Sequence, residues 1–321
     1  MSVLQYLRKA SLIIGPDAGD AVELSALRFR FSVKRGDLQT PNTADIRVYN
    51  VNDDTALKAE KEFTRIVIQA GYEGNFGVIF DGTIKQIRRG RESPTDTYLD
   101  ITAADGDSAY NFSTVAVSLA AGSKPDDHVN VILQGMTEHG VSRGYIQPVE
   151  SNGLPRGKVI FGMTKDELRE VARNTNTNWS IQDGKLQMVG INAYLPGEAV
   201  VVNAATGMIG QPEATQNGIR VKTLLNPNIK IGGVIKLNNK DIQQYRYGLS
   251  VSQQVQNEFA RLSTKTNDDG MYYVMIADHS GDTRGGDWYS DLICLSIDTS
   301  IPLSYVQKQG VPDAGPVKPY G

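Results

Sequence analysis

The residues whose types are best suited to catalysis form the stretch Asp278-His279-Ser280-Gly281-Asp282. It offers an imidazole base, a hydroxyl nucleophile and two carboxylates within five residues. Nucleophilic catalysis needs a nucleophile, a base and an orienting group in line, and these groups normally come from distant segments. Because adjacent residues rarely reach that geometry, we predict a loop at the end of a strand, whose side chains cap backbone groups.

Metal and phosphate motifs are equally weak. The histidines are His128, His139 and His279, and no pair has the HxxxH or HxH spacing of a zinc site. His128 and His139 lie on one predicted helix about three turns apart, so we predict a hydrated helix face. Gly281–Gly286 lacks the GK[ST] of a phosphate loop, and Asp105-Gly106-Asp107 lacks the further ligands of a calcium loop, so both are predicted turns. We therefore expect no catalytic residue, no cofactor and no metal.

The charge balance argues against a nucleic-acid-binding protein. The chain of 321 residues has 33 basic and 36 acidic residues, a net charge of −3 and a pI near 5.7. A protein that grips phosphate backbones carries a basic stripe or patch. The one local basic cluster, Arg88-Arg89-Gly90-Arg91, is predicted in a solvated hairpin turn. Any DNA binding is therefore expected to be weak and without sequence preference.

A single cysteine, Cys294, excludes an intrachain disulfide. It falls in the apolar stretch Leu292–Ile297, which predicts a buried thiol. A chain without disulfides is typical of synthesis in a reducing cytoplasm, here that of the host. The N-terminal sequence has no apolar run long enough for a signal peptide or a membrane span, so neither is expected.

Residues 25–115 show a period of two. Leu27, Phe29, Phe31 and Val33 share one face, which is typical of a strand with one buried side. Further strands are predicted in this segment, with a short helix at Asp53–Glu62, and together they predict a small β-barrel. The further strands are Ala44–Val51, Thr64–Tyr72, Gly77–Arg88 and Thr97–Ala104. Residues 1–24 are predicted to be a lead-in segment.

Residues 116–198 change to a mixed pattern. Ser123 is predicted to cap a helix that buries Val129, Ile132, Leu133 and Met136. The capping box Thr164-Lys165-Asp166-Glu167 predicts a second helix with a buried stripe of Leu168, Val171 and Ala172. Asp183-Gly184 predicts a type I′ turn between strands Asn178–Gln182 and Lys185–Val189. This segment is predicted to be a small α/β insertion.

Residues 199–301 return to strands. Two blocks, residues 217–237 and 272–297, each read as strand, Pro/Gly turn and strand, which predicts a second β-barrel. Between them, the Gln-rich residues 241–255 predict an exposed loop or helix. Residues 302–321 are rich in proline and glycine and are expected to be extended until a partner binds. Tyr305, Val306, Val311, Val317 and Tyr320 are their candidate partner-docking residues.

Several stretches resemble the phage baseplate hub (tail hub) proteins, which join the end of the tail tube to the central spike. The stretches that carry this resemblance are TADIRVYNVND (43–53), VIQAGYEGNFGVIFDGTIKQIRRGRES (67–93), DTYLDITAADGDSAYN (96–111), TGMIGQPEATQNGIRVKTLLNPNIKIGGVIKL (206–237) and YVMIADHSGDTRGGDWYSDLICLS (273–296). The resemblance implies a mainly β fold, with two tube-like β-barrel domains flanking a small α/β unit. It carries no catalytic residues with it.

The resemblance also implies a structural role in the virion tail. Three copies with two barrels each would match a sixfold tube to a threefold spike, around a channel through which DNA passes. The expected partners are two further copies, the tail tube ring, the spike, and the tape measure and other baseplate proteins. The alternatives are a tail-associated cell-wall hydrolase, whose paired carboxylates the 36 acidic residues could supply, and a carbohydrate-binding module. A carbohydrate-binding module needs aromatic side chains on which sugar rings stack, and two tryptophans make a poor platform.

Overall fold

The computed structural model describes residues 6–16, 19–215, 218–238 and 270–296, and these residues form a mainly β protein. Four α-helices lie among them: α1 (Asp53–Glu62), α2 (Asp107–Phe112), α3 (Pro125–Thr137) and α4 (Thr164–Thr175). The strands before α2 are β1 (Arg8–Gly15), β2 (Val22–Glu23), β3 (Phe29–Gly36), β4 (Thr43–Tyr49), β5 (Arg65–Tyr72), β6 (Asn75–Arg91) and β7 (Thr97–Ala104).

The remaining strands lie in two groups. Those between α2 and residue 198 are β8 (Thr114–Leu119), β9 (Ser142–Ile146), β10 (Lys158–Met163), β11 (Thr177–Gln182) and β12 (Lys185–Gly190). Those after it are β13 (Val200–Val201), β14 (Met208–Thr215), β15 (Gly218–Leu224), β16 (Val234–Lys236), β17 (Met271–Asp282) and β18 (Trp288–Ser296). The predicted helix at Asp53–Glu62 and the predicted mainly β fold with an α/β insertion are confirmed.

One curled sheet runs through both β regions. Its strand order is β14-β15-β18-β17-β3-β4-β7-β6-β5-β1-β2, with β13 and β16 attached beside β17. The two regions join where β17 pairs antiparallel with β3, from Ile276 opposite Gly36 to Asp282 opposite Arg30. The segment predicted as a lead-in supplies β1, which pairs with β5 along its whole length because Leu12 and Ile14 alternate into the core. The division of the chain at residues 25, 116, 199 and 302 stays a prediction.

The core of the first β region follows the predicted alternation. Phe29, Phe31 and Val33 are buried, whereas Arg30 and Ser32 between them are exposed. Strands β1, β4, β5 and β7 contribute further aliphatic residues to the same cluster, and α1 packs onto it through two alanines. This arrangement leaves the opposite side of β3, β4 and β7 to polar residues.

The second β region completes this core with Leu225 and Trp288. Trp288 of β18 is fully buried in the cluster of the first region. Its Nε1 donates to the carbonyl oxygen of Gly71 at 3.1 Å, and its ring meets Phe31 edge-on, with centroids 5.4 Å apart. The Arg8 guanidinium lies 5.5 Å from the Trp288 ring centroid and donates to the carbonyls of Gly285 and Gly286. Trp288 therefore ties β18, β5 and β3 together.

The α/β unit has its own sheets. β11, β12 and β9 form a three-stranded sheet under α3 and α4, and β8 and β10 form a separate two-stranded ribbon. The buried stripes predicted for both helices are confirmed. The predicted caps are wrong: α3 begins at Pro125, Ser123 donates to the Ala120 carbonyl instead, and Thr164 is the first helical residue rather than a side-chain cap.

A buried polar joint fixes this unit to the main sheet. Asp183 and Gly184 both have positive φ, 53° and 71°, as the predicted type I′ turn requires. Their N–H groups donate to the Asp105 carboxylate at 2.6 and 2.9 Å. Arg35, almost fully buried, donates to the Asp183 carboxylate at 2.9 Å and to Gln182 Oε1 at 3.1 Å. At the predicted turn Asp105-Gly106-Asp107, the Asp105 carboxylate thus binds the backbone of the type I′ turn and holds the α/β unit against the main sheet.

A second carboxyl group lies buried in the same joint. Asp37 accepts hydrogen bonds from the Tyr273 hydroxyl and from Asn178 Nδ2. Burial raises the pKa of both Asp37 and Asp105 to about 6, because removal from water disfavours the charged form. The attachment of the unit therefore rests on groups that titrate near neutral pH.

Candidate assembly surface

The outward residues of β3, β4, β6, β7 and β17 form one continuous polar surface, here called the polar face. Strand pairing places Asp282, Arg30, Arg47, Asp100 and Arg88 side by side in a row across five strands. The next row is less charged and lines the same open groove; it consists of Ser280, Ser32, Asp45, Thr102 and Gln86. Alternation along each strand explains why these residues share a side.

Opposite charges are bonded to each other along this face. Asp282 accepts from Arg28 at 2.7 Å and from Arg30 at 2.9 Å, and these guanidinium groups hold its pKa well below the usual range of a carboxyl group. Arg47 makes two bonds to Asp100, at 2.7 and 2.9 Å. A partly exposed pair such as Arg47–Asp100 adds only about 0–1 kcal/mol to stability. The larger effect of these pairs is to neutralise the surface.

Charge pairing continues towards the other end of the sheet. Arg220 and Lys222 of β15 approach the Asp291 carboxylate of β18 at 3.7 and 3.9 Å.

Within the polar face itself, Thr102 donates its hydroxyl hydrogen to Asp45 at 3.0 Å. The polar face therefore offers hydroxyl, amide and compensated charges rather than a basic stripe.

The structure does not bring the side chains of residues 278–282 together as a catalytic group. This stretch lies inside β17 rather than in a loop, so the predicted strand-ending loop is wrong; the turn follows it, at residues 283–287. His279 is buried, and its Nδ1 lies 2.7 Å from Ser290 Oγ. Burial lowers the pKa of His279 to about 3, so the ring is neutral at pH 7. Ser280 points to the opposite side of the strand and cannot be activated by His279.

The other histidines also depart from the prediction. His128 lies on α3 but is buried, so the predicted hydrated helix face is wrong for it. His139 lies beyond the end of α3, and its Nδ1 is 2.9 Å from Ser108 Oγ. Among the described residues, no group of three or more His, Cys, Asp or Glu side chains is placed to hold a metal ion.

The basic cluster 88–91 is part of strand β6, so the predicted hairpin turn is wrong; the turn comes after it. The strand is long enough because β7 pairs with it as far as Thr97 opposite Arg91. Arg89 approaches Asp53 at 3.1 Å and Glu60 at 3.4 Å. The charge of Arg89 is therefore compensated by α1.

The remaining predictions concern the thiol of Cys294, membrane spans, the docking residues and the Gln-rich segment. Cys294 is buried in β18, and burial raises the pKa of its thiol. None of the helices in the described ranges has the length and apolar character that crossing a bilayer requires. The docking residues Tyr305, Val306, Val311, Val317 and Tyr320, and the Gln-rich residues 241–255, lie outside the described residues.

Comparison with known proteins decides the family. The model of the family described as "Baseplate hub gp41" matches residues 25–241, about two thirds of the chain. The chain belongs to the baseplate hub gp41 family. The predicted resemblance to phage baseplate hub proteins is thereby confirmed. None of the curated protein sequences compared with the hub chain matches it.

Solved structures share the fold of the hub at low sequence identity. A 43 kDa tail protein of prophage MuSo2 from Shewanella oneidensis is 9% identical with a TM-score of 0.56, over 92% of the hub chain and 99% of its own. A tail protein from Neisseria meningitidis MC58 is 10% identical with a TM-score of 0.56, over 91% and 97%. A chain of the Francisella PdpA–VgrG complex is 8% identical with a TM-score of 0.51, over 94% and 60%.

Sequence reasoning missed three features of the hub. Trp288 was placed at a strand start, but its role in the core of the other β region needs the β17–β3 pairing. The joint at Asp105 and Arg35 looked like an ordinary turn. The pairing of Arg47 with Asp100 was hidden because alternation gives the face of a residue and not its cross-strand neighbour. Opposite charges at matching positions of adjacent predicted strands were the available signal.

Proposed function

We propose that three copies of this chain form a closed ring that joins the tail tube to the central spike of a phage. Membership of the baseplate hub family makes the chain a structural part of a phage tail. The observation that carries the finer proposal is the single sheet that spans both β regions, with one packed face and one polar face. Three such sheets provide six β regions, which suits a sixfold tube above a threefold spike.

The polar face lines the channel of this ring. A channel wall that lets DNA slide should carry no strong attraction for phosphates. The bonded pairs Arg30–Asp282 and Arg47–Asp100 offset part of the positive charge there. DNA is in this proposal a passing cargo, and the lasting partners are the tube ring, the spike, and the tape measure and other baseplate proteins.

The hub acts without catalysis in this proposal. Asp282 and Asp100 of the polar face are bonded to arginine side chains. The lowered pKa of Asp282 is opposite to the raised pKa that a general acid of a glycosidase needs. His279 is buried away from Ser280. The protein works in the virion tail after synthesis in the host cytoplasm.

The C-terminal residues 302–321 serve as a docking strap. Their proline and glycine content disfavours a core of their own, while Tyr305, Val306, Val311, Val317 and Tyr320 supply anchors for a partner surface.

Light scattering of the purified chain tests the ring. At micromolar concentration, with and without the spike protein, the expected mass is three times 35.0 kDa. Electron micrographs of the same sample should show a central hole. A particle that stays monomeric under both conditions contradicts the proposal.

A further inference from the structure

The ribbon β8–β10 exposes an unusual amount of apolar surface. Val159 and Phe161 of β10 are 72% and 80% exposed, and Phe112 just before β8 is 67% exposed. Val159 and Phe161 lie opposite Ser118 and Ala116, on the side of the ribbon away from the buried Ile160. Contiguous exposed apolar residues mark interaction surfaces.

The outer edge of β10 is also open. Thr164 N donates to Ser113 O, which continues the β8–β10 register and makes this position a hydrogen-bonded pair. Hydrogen-bonded pairs alternate along an antiparallel ladder, so the N–H and C=O groups of Val159 and Phe161 point away from β8. No other strand of the described ranges pairs with β10. The exposed apolar side chains and the free backbone groups therefore belong to the same residues.

A segment of the chain outside the described residues has the matching pattern. Ile301, Leu303 and Tyr305 alternate with Pro302 and Ser304. In an added strand, the three apolar residues would point their backbone groups into the ladder and their side chains to one face. Pro302 would then point its nitrogen outward, which is where an edge strand tolerates a residue without an N–H.

The reach of the chain selects a neighbouring copy as the source. Leu295 packs with Val189, on the side of β12 opposite to Met188, which faces the helices. The ribbon packs on another side of the helix pair, where Glu170 pairs with Lys158. One sheet and one layer of helices thus separate β18 from the ribbon. The three steps, from β18 to that sheet, from the sheet to the helices and from the helices to the ribbon, are about 10 Å each, so the gap is roughly 30 Å. The five residues from Ser296 to Ile301 span at most about 17 Å.

We propose that residues 301–305 of one copy add a third strand to the free edge of β10 in a neighbouring copy. This inference rests on the proposed docking strap and names its receptor. The added strand satisfies the open N–H and C=O groups of Val159 and Phe161, and its apolar side chains cover theirs. In a closed ring each copy gives one strap and receives one, so three modest contacts act together.

Disulfide trapping between two distinguishable chains tests the proposal. One full-length chain carries Phe161→Cys and an added tag, and the other carries Leu303→Cys; they are coexpressed, purified as a complex and oxidised. Phe161 is exposed, so its replacement leaves the core intact. The matched control is Ser304→Cys, which points to the opposite face of the strap. Native Cys294 is buried and should not react.

The expected result is a disulfide between the tagged and untagged chains with Leu303→Cys, at least tenfold more abundant than with Ser304→Cys. Equal trapping of both positions, or none in a particle of trimeric mass, overturns the inference and leaves the ring standing. An intrachain disulfide in a chain carrying both Phe161→Cys and Leu303→Cys overturns the neighbouring source. A monomeric particle without any trapping contradicts the ring and the strap together.

Discussion

Replacing each tryptophan by phenylalanine should separate the two buried indoles by their hydrogen bonds. Trp288 and Trp179 are both almost inaccessible to solvent. Trp288 Nε1 donates to the Gly71 carbonyl, whereas Trp179 Nε1 has no acceptor among the described residues. Both substitutions remove similar volume, so the cavity costs about the same in each and cancels when the two variants are compared.

The difference in unfolding free energy follows from the polar atoms. Trp288→Phe loses a hydrogen bond worth about 1 kcal/mol, while Trp179→Phe removes an orphaned buried donor that costs about 1–3 kcal/mol. Trp288→Phe should therefore destabilise the chain by about 2–4 kcal/mol more than Trp179→Phe. Aromatic contacts do not separate the two variants, because Trp288 has Phe31 and Trp179 has Tyr110 as a ring neighbour.

Urea unfolding followed by far-ultraviolet circular dichroism measures both variants, because each variant has lost one fluorescent indole. The midpoints are compared at equal protein concentration, since association would shift them. Tyr289→Phe on the same strand is a control that keeps the core, because Tyr289 is only half-buried. An equal or larger loss in Trp179→Phe would refute the assignment of Trp288 as the residue that ties the regions together.

The remaining predictions concern pH, charge, catalysis and the strap. The pKa of Asp37 is raised to about 6 on folding, so the folded state binds its proton more tightly than the unfolded state does. As pH rises from 4 to 7, the wild type should therefore lose about 1–3 kcal/mol of unfolding free energy relative to Asp37→Asn. A constant difference in urea midpoints across this range would contradict the prediction. Wild type should bind DNA no tighter than micromolar at physiological salt, and Asp282→Asn with Asp100→Asn, which free Arg30 and Arg47, should tighten binding and steepen its salt slope. A peptidoglycan zymogram should stay uncleared, with a lysozyme lane as control. Deleting residues 303–321 should leave the Tm of the isolated chain unchanged but weaken association; full tail assembly by the truncated chain would count against the strap.

The local structure of the hub was readable because it depends on neighbours in sequence. The alternation of Phe29, Phe31 and Val33 gives a strand and its buried face, and Asp183-Gly184 gives a turn, because each depends on a few adjacent residues. The helix α4 was readable in the same way from the spacing of Leu168, Val171 and Ala172, although its predicted side-chain cap was wrong. These elements were predicted to within a few residues.

The tertiary features were not readable for the opposite reason. Alternation cannot say that β17 lies beside β3, so His279 was assigned to a loop rather than to a strand buried between two others. Trp288 looked like an ordinary strand start, since nothing local to it reveals Gly71 or Phe31 as neighbours. The exposed side chains of Val159 and Phe161 look like core residues in sequence. Only the packing of the ribbon shows that they are uncovered.

The bond from Trp288 to Gly71 spans 217 residues of chain and sets an order of events during synthesis. At about 5–20 residues per second, the ribosome makes β18 roughly 10–40 seconds after β5. Throughout that interval the first β region lacks the strand that covers β3 and the ring that completes its core. Contacts between such distant residues make folding slow, so a chaperone that shields the open edge of β3 would raise the yield of hub. A chain truncated before residue 271 would keep that edge exposed and should aggregate rather than enter a ring.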